Sequence, residues 1–273
     1  MRVSVLGSGS KGNAVLVESR GTRVLVDGGF SARDLERRLG LLGIFPREVD
    51  ALVVTHDHGD HTRGVGVFAR RFGTPVYITN ATRDRCRALF KGREELRPYR
   101  GGFPFSIGNI LVEPFLTVHD AADPVAVALK DSETGLKVGV ATDLGRPTAQ
   151  VRHALAESHL LILEANHDEA LLHQGPYPWS VKSRIASSHG HLSNDAAATL
   201  AMELLHPRLA GIVLAHLSGE CNRPELAEAV VGRALKTAGF RGLLKVAGQD
   251  APTGPLDLVE LGRRLDPDQL SLI

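Results

Sequence analysis

Between Val54 and His61 the chain reads VTHDHGDH, with His56, Asp57, His58, Asp60 and His61 packed into six consecutive positions. A solvated turn does not require that composition, whereas imidazole and carboxylate together are ligands of transition metals. Further groups of the same kind stand at the ends of apolar runs. Asp27 closes Val24-Leu25-Val26, and His56 follows Val53-Val54-Thr55. His119 closes Leu116-Thr117-Val118, Asp143 follows Val140-Ala141-Thr142, and His216 closes Val213-Leu214-Ala215. One histidine in such a place is ordinarily a hydrogen-bonded structural residue. Ligand-type residues at the ends of several runs predict a metal site on one rim of a sheet.

The number of groups favours two ions over one. A catalytic zinc takes three protein ligands and keeps a position for water. Two such sets are available, His56, His58 and His119 in one and Asp60, His61 and His216 in the other, with Asp143 left as a bridging carboxylate. Imidazole-rich sets suit zinc, and the carboxylates admit manganese or iron. Asp27 and Asp57 would then orient imidazoles from behind. Two divalent ions about 3.5–4 Å apart hold a hydroxide between them and clamp a phosphodiester for in-line attack. Asp60 would also accept a hydrogen bond from that water.

Strand-like runs occupy residues 3–6, 14–18, 23–26, 51–55, 75–79, 110–118, 125–129, 137–141, 160–163, 211–214 and 243–246. Many are β-branched, and most end in glycine, aspartate or asparagine. Between them, Ser31 predicts the cap of a helix carrying Leu35, Leu39 and Leu42 on one face. Ser193 caps another through Leu200 and Leu204, and Pro224 suits the first turn of a third. Short links between the early strands suggest antiparallel pairing, while later strands alternate with helices. The expectation is a mixed α/β (α+β) chain, its sheets covered by outer helices, forming a single domain over residues 1–273.

With 273 residues, 43% hydrophobic and 23% charged, the composition is that of an ordinary globular chain able to bury a core. No apolar run approaches the ~20 residues of a membrane helix, and the opening MRVSVLGSGS lacks the apolar stretch of a signal peptide. Cys86 and Cys221 have neither disulfide-frame nor metal-type spacing, which points to the reducing cytoplasm. Net charge is +1 but unevenly spread. Within residues 63–100, Arg63, Arg70, Arg71, Arg83, Arg85, Arg87, Lys91, Arg93, Arg97 and Arg100 face only Asp84, Glu94 and Glu95. Such a window is either the footprint of a polyanion or a pair of solvated helix faces.

HDHGDH resembles the HxHxDH signature of the metallo-β-lactamase fold, and Asp27, His119, Asp143 and His216 follow in the order of its remaining motifs. The resemblance covers the whole chain and implies an αββα sandwich with a dinuclear site at one edge. GSGSKGN at 7–13, HDAADP at 119–124, EANHD at 164–168, GPYP at 175–178, GHLSN at 190–194 and HLS at 216–218 are similar to the WalJ/YycJ group. That group is regarded as DNA exonucleases acting 5′ to 3′, related to nucleases that trim tRNA ends and degrade RNA. Nucleases with a large inserted cap domain carry it between the Asp143 and His216 motifs, and the segment here is too short for one. Ala165-Asn166-His167 after Glu164, where tRNA processors carry Ala-Thr, argues against RNA-end trimming.

The same resemblance implies a proton relay, with His191 as general acid for the leaving oxygen and Glu164 holding its tautomer. The expected partner is nucleic acid, DNA ahead of RNA. Hydrolysis of a small ester, thioester or lactam is the competing reaction, and a non-catalytic binding module the competing class. Residues 7–13 either offer backbone N–H groups, Ser8, Ser10, Lys11 and Asn13 to a phosphate or form a plain hairpin turn. His167 and His189 would line the substrate cleft. Tyr177 and Trp179 either stack on a base or pack in the core.

Overall fold

In the strand Ala14–Ser19, Val15 and Val17 face one layer while Leu16 faces another, and Val24, Leu25 and Val26 repeat the alternation. A strand that is apolar on both faces must be covered on both. That requirement organises the structure, a computed structural model that describes residues 1–265.

Two mixed sheets of seven strands result. The first runs through β1 (Arg2–Gly7), β2 (Ala14–Ser19), β3 (Thr22–Val26), β4 (Ala51–Val53), β5 (Val76–Ile78) and β6 (Leu96–Pro98). The second runs through β7 (Phe105–Ile107), β8 (Ile110–Leu116), β9 (Val125–Asp131), β10 (Lys137–Ala141), β11 (Leu160–Glu164), β12 (Gly211–Ala215) and β13 (Leu243–Val246). β14 (Leu256–Asp257) returns to the edge of the first sheet beside β1. Pairing is antiparallel from β1 to β3 and from β7 to β10, and parallel from β3 to β6 and from β10 to β13. In consequence β3, β4, β8, β10, β11 and β12 deliver their carboxyl ends to one rim.

Between the sheets, Val5, Val17, Val26 and Val53 share a core with Val127, Val140, Ile162 and Val213. The helices are α1 (Ala32–Leu41), α2 (Gly59–Thr62), α3 (Val65–Phe72), α4 (Asn80–Arg85), α5 (Ala149–Leu155), α6 (Glu169–Gln174), α7 (Trp179–Ile185), α8 (Asn194–Glu203), α9 (Pro224–Thr237) and α10 (Leu258–Leu265). Leu35 and Leu39 of α1 and Phe68 of α3 cover Leu16, Leu25 and Leu52 on the outer face of the first sheet. Val151 of α5, Leu200 of α8 and Val231 of α9 do the same for Leu161, Leu163 and Leu214 of the second. Each such leucine contributes about 1.5–3 kcal/mol by burial. The layers run helix, sheet, sheet, helix.

Ser31 accepts from Asp34 N at 3.2 Å, Ser193 accepts from Ala196 N at 3.3 Å, and Pro224 opens α9, as their sequence context requires. Three strands stop earlier than their β-branched runs: β4 at Val53, β5 at Ile78 and β8 at Leu116. Beyond Val53 and Leu116 the chain leaves the ladder and turns toward the rim. β6, β7 and β14 carry too few residues for a period of two to be visible. Among the described residues no helix is long and apolar enough to cross a membrane.

Candidate metal centre

Asp27, Asp143 and His216 each follow a strand with φ of 62°, 58° and 55°. A left-handed residue other than glycine costs roughly 1–3 kcal/mol unless its surroundings hold it. Here they do. Asp27 accepts from Thr55 N at 2.8 Å and from Thr55 Oγ1 at 2.9 Å. His216 N donates to Ser8 Oγ at 2.8 Å, and its carbonyl accepts from Asn166 Nδ2 at 2.8 Å. His58 caps α2, whose single turn carries Asp60 and His61. That turn packs so closely on Gly29 that a Cβ there would lie 1.6 Å from the Asp60 carbonyl oxygen.

Each imidazole of the cluster has one nitrogen held by the protein. Thr55 Oγ1 lies 3.0 Å from His56 Nδ1, and Asp27 lies 2.8 Å from His61 Nδ1. Backbone carbonyls hold His58 Nε2 (Asp120, 2.8 Å) and His119 Nδ1 (Gly190, 3.0 Å). Glu164 Oε1 lies 2.9 Å from His216 Nδ1. The opposite nitrogens converge in two groups. In the first, His119 Nε2 is 3.3 Å from His58 Nδ1 and 3.4 Å from Asp143 Oδ1, which is 3.9 Å from His56 Nε2. In the second, Asp60 Oδ2 is 3.2 Å from His216 Nε2 and 3.6 Å from His61 Nε2. Asp143 Oδ2 completes the bridge, 3.1 Å from His61 Nε2.

These donors fit metal ions. Within each group the candidate ligand atoms lie within 4.8 Å of one another. Among the described residues, His56 Nε2 and Asp143 Oδ2 are buried without a hydrogen bond of good geometry. Leaving such an atom unsatisfied costs about 1–3 kcal/mol, which coordination would remove. Burial and the neighbouring His61 hold His56 well below its ordinary pKa, so its lone pair is free. Burial would raise Asp143, but His216, His61 and His56 override it and keep the carboxylate ionised. Asp60 is likewise ionised, burial being outweighed by its bond to His216 and by His61. Burial opposes the charged form of His216, yet Asp143, Asp60 and Glu164 raise its pKa to about 10. The carboxylates therefore call for positive charge, which protons supply until a metal displaces them.

A third group joins Asp143 and His216 to Glu164 and His191. Glu164 closes β11, is fully buried, and accepts from Leu144 N, Leu192 N, His191 Nδ1 and His216 Nδ1 at 2.8–3.1 Å. Burial opposes its charge, but His191 and His216 hold its pKa at about 2. With its oxygens so engaged, Glu164 is an anchor for two imidazoles. A cavity of about 310 Å³ opens over the cluster, lined by His58, Asp60, His119, Asp143, His191 and His216 among others.

Residues 7–175 match the family described as the metallo-beta-lactamase superfamily. The chain is 34% identical over 246 residues to exodeoxyribonuclease YycJ of Bacillus anthracis, covering 88% of this chain and 91% of that relative. The chain belongs to the metallo-beta-lactamase superfamily. Exodeoxyribonuclease WalJ of Streptococcus pneumoniae is 34% identical over 231 residues, covering 83% of this chain and 85% of that relative. The crystal structure of the metallo-beta-lactamase fold protein YhfI from Bacillus subtilis superposes with a TM-score of 0.69 at 19% identity, covering 92% of this chain and 98% of that one. As a superfamily member the chain is a metal-dependent hydrolase.

The superfamily frame leaves several residues to their contacts. Asp27 meets His61. Among the described residues Asp57 meets no imidazole: its Oδ1 accepts from Ala122 N at 2.8 Å, so it fixes the loop after His119, a correction to the role expected from its neighbours in sequence. Ser8 and Asn13 are buried and bonded to each other at 2.8 Å, and Ser8 also holds His216 N. Asn13 Nδ2 lies 3.3 Å from Asp60 Oδ2, so both residues support the metal-binding groups and are not open to a phosphate. Ser10 lines the cavity, and Lys11 is exposed with its N–H on Gln249. His189 and Tyr177 line the cavity, whereas His167 is buried beside a different one. Trp179 is 71% exposed and is no core residue.

Asn166, Thr55 and Gln249 do structural work that their sequence context did not announce. In the basic window, Arg70, Arg71, Arg83 and Arg97 pair with Glu94, Glu36, Asp84 and Glu95. None of the window's cations lines the cavity, where the arginine is Arg184.

Proposed function

We propose that this chain hydrolyses phosphodiesters in nucleic acid, as a 5′ to 3′ DNA exonuclease using two divalent ions. The observation that carries the reading is the Glu164–His191 pair beside the metal-binding groups, with His191 Nδ1 2.8 Å from Glu164 Oε1. A nucleotide's alkoxide is a poor leaving group and needs a proton. A thiolate does not. Relatives named exodeoxyribonucleases support DNA as the substrate.

His56, His58, His119 and Asp143 would hold one ion, and Asp60, His61, His216 and the same Asp143 the other. The imidazoles suit zinc, and the carboxylates admit manganese or iron. When bound, such ions neutralise charge on the phosphate and lower the pKa of a water nucleophile. Asp60, ionised and facing the cavity, accepts a hydrogen bond from the attacking water and orients it. Because Glu164 holds His191 Nδ1–H, the Nε2 of that ring is left for the substrate. Protonated, it gives its proton to the departing oxygen.

The test is to incubate purified protein, with added Mn²⁺ or Zn²⁺, with end-labelled single-stranded and duplex DNA and RNA and with bis-p-nitrophenyl phosphate. DNA should shorten from its 5′ end. Turnover of a thioester or lactam with no phosphodiester cleavage would overturn the reading.

A further inference from the structure

α7 lies at the surface: Val181, Lys182 and Ile185 are half-buried and none of its residues is fully buried. Its two faces look into different spaces. Val181, Arg184 and Ile185 line the cavity over the metal cluster. Trp179, Lys182, Ser183 and Ala186, rotated around the same helix, line a second cavity of about 750 Å³. His191 lines both. The helix is thus a partition, and the imidazole held by Glu164 sits where the two spaces meet.

The second cavity has the chemistry of a nucleotide site. Trp179 is largely exposed, with only the His173 ring near it at 6.5 Å among the described residues, and Leu172 and Pro147 add apolar wall. Two cations, Arg146 and Lys182, outnumber the one lining carboxylate, Glu169. His167 also lines it, 3% exposed, with its Nδ1 buried and lacking any hydrogen-bond partner. The cavity meets the ring and not that nitrogen, which is closed off from it. Its size is within the range of small-molecule sites, about 300–1,000 Å³.

We propose that this cavity binds the nucleoside on the leaving side of the scissile phosphodiester, its base stacked on Trp179. The inference rests on the nuclease reading and gives it a direction. A general acid must face the leaving oxygen, so the departing nucleoside lies on the His191 side, and the space beyond His191 is this one. For cleavage from a 5′ end, water's oxygen bonds to phosphorus as the P–O3′ bond breaks, and the 3′-oxygen of the terminal nucleoside takes the His191 proton. The shortened chain keeps the phosphate on its new 5′ end; the departing nucleoside is then the terminal one. Its 5′-phosphate meets Arg146 and Lys182.

The experiment compares Trp179→Ala with wild type on a 5′-phosphorylated single-stranded DNA and on bis-p-nitrophenyl phosphate, whose leaving ring has no sugar or 5′-phosphate to seat it against Trp179 and departs without the His191 proton. Stacking contributes enough per base that the oligonucleotide-to-nitrophenyl ratio of kcat/KM should fall roughly 5- to 100-fold. An oligonucleotide with an abasic 5′-terminal residue should cost wild type a similar factor and the variant little more, because both changes remove one contact. Independent, multiplying losses would overturn the proposal, as would an unchanged ratio. If wild type cleaves neither substrate, the phosphodiesterase reading fails and this inference with it. If wild type cleaves both and the ratio holds, the cavity assignment fails alone.

Discussion

Asp143 turns one oxygen toward His119 and the other toward His61, so a single side chain links two donor groups. The Asp143→Ala protein should lose its metal pair, with metal analysis falling from close to two ions per wild-type chain. One ion or none in an active wild-type preparation would defeat the dinuclear model. His191 stands differently, touching Glu164 with one nitrogen. His191→Ala should keep its metal content while kcat on DNA drops roughly 10²–10⁴-fold. The drop should be smaller on a nitrophenyl ester, whose phenolate leaves unprotonated, and equal losses would make His191 a scaffold. The candidate ligands His56, His119, Asp143 and His216 stood out in the sequence because each follows an apolar run, and His58, Asp60 and His61 because they crowd the loop after His56. Asp57 was not legible. Its partner is Ala122, brought near only by the fold, and proximity in sequence to three histidines suggested the wrong neighbour.

Among the elements, β2 and β9 belong to different sheets and are tied at the end away from the metal rim. Asp131, closing β9, accepts from Ser19 Oγ at the end of β2, from Thr134 N at 2.7 Å and from Asn109 Nδ2 at 3.2 Å. Burial opposes its charge, but Ser19 and Thr134 hold its pKa well below the carboxylate range. A depressed folded pKa stabilises fully above the unfolded value, near 4, and the gain is lost as pH falls through the folded value. Asp131→Asn should cost roughly 1.5–3 kcal/mol at pH 7, and denaturant melts should show the gap to wild type closing below about pH 4.

In the basic window, α4 and the segment after it leave Arg85, Arg87 and Arg93 without an ion pair among the described residues. Reversing charge at Arg83, Arg85 and Arg87 should weaken DNA binding and flatten its salt dependence. An unchanged slope would return them to solvent. The long strands were readable as β-branched apolar runs closed by glycine, aspartate or asparagine. β6 and β7 were not, since Leu96-Arg97-Pro98 and Phe105-Ser106-Ile107 are too short to show a period, and the ladder alone makes them strands.

At the scale of the molecule, both sheets share one core and both supply the metal cluster. We propose that the chain forms a single domain whose described residues, 1–265, unfold as one cooperative unit, and that metal stabilises all of it. Ion at 100 times its Kd adds about 2.7 kcal/mol. Calorimetry should therefore show a single transition that moves to lower temperature with a chelator. Two separate transitions would refute the single unit, and an unmoved Tm would mean that the folded state does not bind the ion. The αββα order was legible through motif resemblance more than through pattern, because alternating strands and helices are compatible with several layered arrangements.

Three side chains of the cluster sit on left-handed backbone, at φ of 62°, 58° and 55°. Glycine adopts that conformation without penalty. Asp27 and His216 are held there by Thr55 and Glu164, but Asp143 keeps one buried oxygen unpartnered among the described residues, so a library at position 143, sorted only for heat resistance in a chelating buffer, should drift toward glycine. The winners would be sturdier proteins that hydrolyse nothing. Anyone breeding this scaffold for industrial robustness would have to select with the metal present, or the selection would quietly erase the catalyst.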